Sequence, residues 1–277
     1  MKFLKITSIA SFIFFLSFGF SANSQELHGI LCGGEIRQAD MDVAAEFESA
    51  NPGVTIKWEA VPWGTCQDKV INLAIAGDPV DLAYVGSRTL KGLAENGHII
   101  NVDIPQSQID MYQPGILNTV SHLGKVWGYP RAFSTKALFM NCDLLEEAGV
   151  ACEGPETWDE LYSMAEAVTN NVPGVAGIGL TGKDFDNTMH QFLNYLYSNG
   201  GQVIDPDTNT ITLNSSNTVE ALAFYGKLAN VAQEGPLAYE RSQLRDLLND
   251  KKIAMYIDGP WGRGTHNEDL NMKTVRI

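Results

Sequence analysis

The chain has 277 residues, and its composition is 44% hydrophobic and 19% charged. These fractions exclude a disordered, collagen-like or low-complexity chain and indicate a globular protein of about two domains. The 19 Lys and Arg residues against 33 Asp and Glu give a formal net charge of −14. A protein this acidic repels phosphate at long range, so we expect no nucleic-acid partner.

The first 24 residues have the three parts of a secretory signal. Lys2 and Lys5 supply the positive charge, residues 6–20 form the apolar run, and Ala22-Asn23-Ser24 is a cleavage sequence. A membrane anchor is the alternative, but a span needs about 20 apolar residues. We therefore expect residues 1–24 to be removed and the mature chain to be periplasmic.

Strands and helices alternate in the first half of the mature chain. Hydrophobic periodicity predicts strands over residues 27–32, 54–61 and 81–85, with helices ending near residue 50, over 66–76 and around 89–95. The third strand has a buried-looking pattern. This order is typical of an α/β layer with a mostly parallel sheet.

The second half repeats this pattern with different lengths. Strands are predicted over residues 136–140, 177–180 and 253–257, and helices over 143–148, 157–168, 187–198, 217–233 and from 242 onward, with a small hairpin near 205–212. Thr157 with Glu160 forms a capping box, and Asn217 with Glu220 is a second predicted cap. We place the domain boundary near residues 129–136, giving domains of 25–132 and 133–277.

Four cysteines remain after export, and export permits disulfides. Cys32 and Cys66 each follow a predicted strand and can meet at the strand ends. Cys142 and Cys152 are close in sequence, but a predicted short helix between them would hold them apart. Sequence alone leaves the three possible pairings, and four unpaired thiols, all open.

No catalytic or cofactor motif is present. The chain lacks a nucleophile elbow, a P-loop, a zinc-protease helix and a dinucleotide fingerprint, and its five histidines have no metal spacing. We therefore expect no enzyme activity, no cofactor and no metal. Abundant carboxylates still leave a secreted carbohydrate-active enzyme as an alternative, because that chemistry needs only a pair of acids at the right distance.

Polar and aromatic residues follow the predicted strands, where ligands bind in open α/β sheets. An indole covers the apolar face of a sugar ring, while charged groups bond its hydroxyls. Each residue also has a structural alternative: covering a strand end, pairing with a surface charge or capping a helix. The residues are Glu35, Trp63, Ser87, Arg88, Asp184, His190 and Trp261.

Several segments, in order, resemble the extracellular solute-binding proteins of ATP-driven (ABC) sugar importers, the class of maltose-binding protein. PETWDEL at 155–161 and AMYIDGPW at 254–261 are the most typical. The other segments are residues 47–56, 76–84 and 128–149. The resemblance covers about residues 27–265.

The resemblance implies a two-lobed periplasmic-binding-protein (Venus flytrap) fold of type II, with lobes that close on a carbohydrate in the cleft. It also implies delivery to a permease of the inner membrane by a monomeric receptor. Glu35, Ser87, Arg88, Ser134, His190 and Trp261 align at or beside family pocket positions, and Trp261 matches the sugar-stacking tryptophan. Relatives continue well past this tryptophan, so we interpret the sequence as truncated at its C-terminus.

The charges leave one alternative ligand open. Arg88, together with Arg131 in the crossover, suits a phosphorylated or sulfonated solute about as well as a neutral sugar.

Overall fold

The computed structural model describes residues 24–205 and 207–277. Residues 1–23 of the predicted export signal (residues 1–24) lie outside this range. The chain divides into two compact units, with the division between Phe133 and Ser134. Each unit has its own sheet and its own apolar core.

The first unit is built on a parallel sheet in the order β2-β1-β3. Its strands are β1 (Gln25–Cys32), β2 (Val54–Val61), β3 (Leu82–Tyr84), and the hairpin strands β4 (Ser121–His122) and β5 (Lys125–Val126). Its helices are α1 (Gln38–Ala50), α2 (Trp63–Ala76), α3 (Ser87–Glu95), α4 (Gln106–Ile109) and α5 (Pro114–Asn118). The predicted parallel α/β layer is confirmed.

A disulfide closes the core of the first unit. Cys32 at the end of β1 is bonded to Cys66 in the first turn of α2, with Cα atoms 5.4 Å apart. Helix α2 begins at Trp63, three residues earlier than predicted. Pro62 directly precedes it and has no N–H to leave unpaired at a helix start. Trp63 is therefore a helical residue and packs on this core.

The second unit contains a mixed sheet in the order β11-β6-β10-β7. Its strands are β6 (Ala137–Asn141), β7 (Ala176–Gly179), β8 (Ile204–Asp205), β9 (Thr210–Ile211), β10 (Ile253–Asp258) and β11 (Met272–Val275). Its helices are α6 (Cys142–Glu147), α7 (Trp158–Asn171), α8 (Asp186–Ser198), α9 (Ser216–Lys227) and α10 (Arg241–Asn249). Strands β7 and β10 run parallel, and β6 is antiparallel to both β10 and β11.

Close packing of α7 against β7 defines the core of the second unit. A Cβ atom on Gly177 would overlap the backbone of Ala165, so glycine is what permits this approach. Trp158 stacks on Phe224 with ring centroids 4.7 Å apart and packs against this core. Strand β10 is buried along its whole length and carries its last residue, Asp258, to the sheet edge.

Two predicted caps have different outcomes. The capping box of Thr157 and Glu160 is confirmed, with both reciprocal bonds present. The cap assigned to Asn217 is wrong, because the Ser215 side chain accepts the N–H of Thr218 and begins α9 at Ser216. Asn217 instead donates its side-chain amide to the carbonyl of Asn199.

Two other expectations need correction, and one strand is missing from the prediction. Strand β3 is an exposed edge strand, with Leu82 46% exposed, and not a buried one. Cys142 and Cys152 are bonded, because α6 ends at Glu147 and the chain turns back to bring their Cα atoms within 5.1 Å. Strand β11 is not predicted from sequence, and it forms by pairing with β6.

Candidate functional site

A tryptophan projects from the end of β10. Asp258 ends the strand, and a 3-10 turn over Pro260–Gly264 follows. The turn holds Trp261, which remains 37% exposed. A Cβ atom on Gly259 would overlap the indole, so the glycine lets the ring lie back against the chain.

The carboxylate of Asp258 fixes this indole. Asp258 is fully buried, and Trp261 Nε1 donates to its Oδ1 at 2.6 Å. The Gly259 amide donates to the same oxygen at 2.7 Å, and Arg241 Nη1 lies 3.1 and 3.2 Å from the two oxygens. Tyr256 donates to Oδ2 at 2.6 Å. With five donor contacts, this buried charge is paired and its acceptor capacity is occupied.

A histidine, His266, extends this hydrogen-bond network beyond Tyr256. Tyr256 Oη lies 2.7 Å from Nε2 of His266. The tyrosine proton goes to Asp258, so His266 must donate its Nε2–H to Tyr256. Burial lowers the pKa of His266, which keeps the ring neutral. Burial, and then the charge of Asp258, raise the pKa of Tyr256. The chain of bonds from His266 to Trp261 holds the indole in one orientation.

Two cations lie over the same indole. The Lys136 ammonium is 4.3 Å from the ring centroid, and the Arg241 guanidinium carbon is 5.2 Å away. Burial lowers the pKa of Lys136 to about 8, with Arg241 adding to the decrease and the charges of Asp258 and Asp186 opposing it. Lys136 immediately precedes β6 and Arg241 begins α10, so separate elements converge here.

A narrow recess adjoins the tryptophan. It is lined by Lys136, Asn187, His190, Gln191, Arg241 and Ile257. His190 Nε2 lies 3.8 Å from the Asp186 carboxylate, one helical turn earlier on α8. The Gln191 side chain is 3% exposed, and its Oε1 accepts the backbone N–H of Thr181. Its Nε2 has no hydrogen-bond partner within the described part of the chain.

Two predicted residues of the first unit meet on Tyr84. The ring centroids of Trp63 and Tyr84 are 6.0 Å apart. The guanidinium carbon of Arg131 lies over the Tyr84 ring, 4.8 Å from its centroid. Arg131 also pairs with Asp40 at 2.7 Å. Burial raises the pKa of Asp40, but the bond from Arg131, the amide of Arg37 and both arginine charges outweigh it and lower the pKa. The charge of Arg131 is therefore already matched by a carboxylate.

The other predicted residues lie on the surfaces of their units. Glu35 pairs with Arg37 at 2.9 Å, and Ser87 and Arg88 begin α3 at exposed positions. Ser134 and Asp184 are exposed in the second unit. Of the residues predicted in the second unit, only His190 and Trp261 are brought together. Lys136 lines the same recess as His190 and lies over the Trp261 ring.

The sequence-based prediction misses most of the residues of the site: Lys136, Asn187, Gln191, Arg241, Tyr256, Ile257, Asp258 and His266. The acid directly before Gly259-Pro260-Trp261 was a usable signal, because it lies at the same strand end as the tryptophan. Lys136 and Arg241 lie in distant parts of the chain, and no local pattern connects either of them to Trp261.

Residues 24–205 and 207–277 contain neither a cluster of metal-ligating side chains nor a helix suited to spanning a membrane. No group of three or more His, Cys, Asp or Glu side chains there is arranged to hold a metal ion. No helix in the same residues has the length and apolar character to cross a membrane.

The fold and the strand-end tryptophan agree with a family match over most of the chain. The family model for bacterial extracellular solute-binding proteins matches residues 33–272. The chain belongs to this family. It is a family of substrate-binding receptors of bacterial ABC importers, and its members work outside the cytoplasmic membrane. The predicted recognition is confirmed.

Curated members of the solute-binding family are similar at moderate identity. A Brucella abortus (strain 2308) protein described as a binding protein is 30% identical over 230 residues, covering 79% of this chain and 54% of its own. The arabinooligosaccharide-binding protein of Bacillus subtilis (strain 168) is 24% identical over 238 residues, covering 83% and 48%. The chain thus spans about half the length of these curated relatives.

A solved structure of the solute-binding family shows the same fold. The solute-binding protein of Thermotoga lettingae TMO, bound with α-D-tagatose, superposes with a TM-score of 0.78 at 24% identity. The match covers 91% of this chain and 67% of the other. The predicted two-lobed α/β receptor fold is confirmed.

Proposed function

We propose that this protein is the substrate-binding receptor of an ABC importer and that its solute is a carbohydrate. The observation that carries the proposal is Trp261, an exposed indole fixed by Asp258 at the end of β10. A rigid indole of this kind offers a flat apolar face to the C–H face of a sugar ring, with little side-chain freedom to lose on binding.

Relatives support the sugar class. One is named for arabinooligosaccharides, and the Thermotoga lettingae structure holds tagatose. Family membership supports the rest of the proposal: the receptor binds its solute without altering it, acts as a monomer in the periplasm and passes the solute to a membrane permease. The predicted absence of enzyme activity is part of this proposal.

A thermal-shift screen of the purified protein against mono- and oligosaccharides tests the carbohydrate. A ligand that binds only the folded state stabilises it by about 2.7 kcal/mol at one hundred times its dissociation constant. The melting temperature should therefore rise with saccharide concentration. Chromatography of the saccharide after prolonged incubation should return it unchanged, and a hydrolysed product would favour the enzyme alternative.

A pair of tryptophan variants locates the site. Trp261→Ala should weaken binding about 30-fold, since a buried aromatic contact contributes about 2 kcal/mol or more. Trp127→Ala, which removes a half-buried indole of the first unit, should leave the affinity unchanged. Equal affinities for both variants would place the solute elsewhere. Ala variants of Glu35, Ser87 and Arg88 test the candidate residues of the first unit in the same titration.

A further inference from the structure

The recess beside Trp261 presents more hydrogen-bond donors than acceptors. Lys136 and Arg241 are cationic, and Gln191 carries an amide donor; the amide of Asn187 already donates to Glu240. Asp258 is the nearest acidic group to the indole, but its five donor contacts leave it unable to accept from a ligand. Asp186 lies against His190 at 3.8 Å.

Lys136 is a cation without a carboxylate of its own. Within the described residues, no Asp or Glu oxygen lies within 4.0 Å of its ammonium, whereas Arg241 pairs directly with Asp258. The ammonium instead lies over the indole at 4.3 Å. The charges of Asp258 and Asp186 act on this half-buried ammonium without an ion pair at contact distance, so it gains from an anion bound directly to it, because charge-assisted bonds are about twice as strong as neutral ones.

Gln191 supplies an independent observation. Its Oε1 is held by the Thr181 amide at 3.1 Å, which leaves the Nε2 donor at the recess. That donor is buried and has no partner in the described chain. A buried amide donor without an acceptor is destabilising, so a ligand oxygen at this position recovers a hydrogen bond.

A neutral sugar matches this lining poorly. Its hydroxyls need acceptors as well as donors, and carboxylates commonly supply those acceptors. An oxyanion only accepts, and it neutralises a cation at the same time. We infer that the solute is an acidic sugar whose carboxylate, phosphate or sulfate group is bound by Lys136 and Gln191 beside Trp261. This inference rests on the proposed function, and it assigns the anion to Lys136 and not to Arg131.

The recess as it stands leaves no room for a water molecule, so an anion oxygen reaches Gln191 only when the Lys136 side chain, which lines the recess, moves. The ammonium is at the end of a flexible four-carbon stem and can swing from the indole toward the anion. That movement uncovers ring surface for the sugar. Ion pairing and stacking therefore become available in the same step.

The test compares saccharides that differ only in charge. Melting temperature and calorimetric affinity are measured with galacturonate against galactose and glucuronate against glucose, as monomers and short oligomers. Galactose 6-phosphate, galactose 6-sulfate and acetate complete the series. The acidic member should bind at least about ten-fold more tightly than its neutral partner, and its affinity should fall as salt rises. The carboxylate, phosphate and sulfate arms identify which oxyanion is preferred.

Two variants assign the anion to its residues. Lys136→Met retains the apolar stem and should weaken the acidic sugar about ten-fold or more, with little effect on a neutral one. Gln191→Glu retains the acceptor for Thr181 but replaces the donor by an oxygen, and should abolish the preference for the acid. Lys91→Met, an exposed lysine of the first unit, is the matched control and should change nothing.

The outcomes separate the inference from the proposed function. Equal binding of neutral and acidic sugars overturns the inference and leaves the sugar receptor in place. Binding of acetate or another simple carboxylate, with no saccharide bound, supports the anion site and overturns the sugar. Anion binding that is unchanged in both variants, or no binding at all in the series, overturns the inference.

Discussion

Replacing Lys136 by methionine should stabilise the unliganded protein at neutral pH. The ammonium is half-buried, and burial lowers its pKa from 10.5 to about 8. At 1.36 kcal/mol for each pH unit, keeping this group charged in the folded state costs about 3 kcal/mol. Solvent screening at a half-buried position makes this an upper value. Methionine keeps the apolar stem and removes the charge.

The sign of the pH dependence follows from linkage. Between pH 8 and 10.5 the unfolded chain keeps a proton that folded Lys136 has lost. The unfolded state therefore binds more protons, and the free energy of unfolding contributed by this group rises with pH. The advantage of Lys136→Met should be largest below pH 8 and should shrink towards pH 10.5.

Urea unfolding of both proteins at pH 7, 8, 9 and 10.5, followed by circular dichroism, measures this difference. Other groups that titrate in the range are common to both proteins and cancel in the difference. Lys91→Met serves again as the control, and its stability should run parallel to that of the parent protein. Parallel curves for Lys136→Met would refute the reasoning, since they would show an ammonium that keeps its hydration.

Three further predictions concern other parts of the molecule. Gly259→Ala should displace the Trp261 indole and destabilise the protein by about 1–3 kcal/mol. It should also weaken saccharide binding in fluorescence titrations. Gly264→Ala is the control, because the space around its Cβ position is open. Arg131→Met should lower the free energy of unfolding at pH 7 by up to about 1 kcal/mol. This loss should disappear as the pH falls and Asp40 is protonated, because the ion pair stabilises the folded state only while the Asp40 carboxyl is ionised. A loss of the same size at pH 3 would contradict this. Replacing the Cys32–Cys66 pair by alanine should lower the free energy of unfolding by about 4 kcal/mol, and replacing Cys142–Cys152 should lower it by about 3 kcal/mol. The difference arises because the cross-linked positions are 34 residues apart in the first pair and 10 in the second. Denaturant unfolding of the two double variants measures both losses.

Local patterns in the sequence predict most of the elements. The alternation in residues 54–61 gives β2 with its correct bounds, and Thr157 with Glu160 gives the start of α7. Both signals depend on neighbours within a few residues. Strand β11 carries no such signal, because it has little buried surface and is a strand only through its pairing with β6.

The site is only partly predictable for the same reason. Trp261 is recognisable because its turn and strand end are contiguous in sequence. Arg131 is identified as a ligand arginine, yet the fold brings it to Asp40, which matches its charge. Nothing in the local sequence distinguishes Lys136 from the other lysines. Its altered pKa arises from burial and from charges that are 50 or more positions away, and the ring that it covers is 125 positions away.

The position of β11 bears on the order in which the two units fold. In the first unit, β1 pairs with β2 across a separation of 29 residues, as in Gln25 with Val54. In the second, β6 pairs with β11 across 137 residues, as in Leu138 with Val275. Long-range pairings form slowly, because chain entropy is lost before the contact is gained. We expect the sheet of the first unit to form early and one edge of β6 to stay unpaired until β11 docks on it. Refolding should therefore show two kinetic phases.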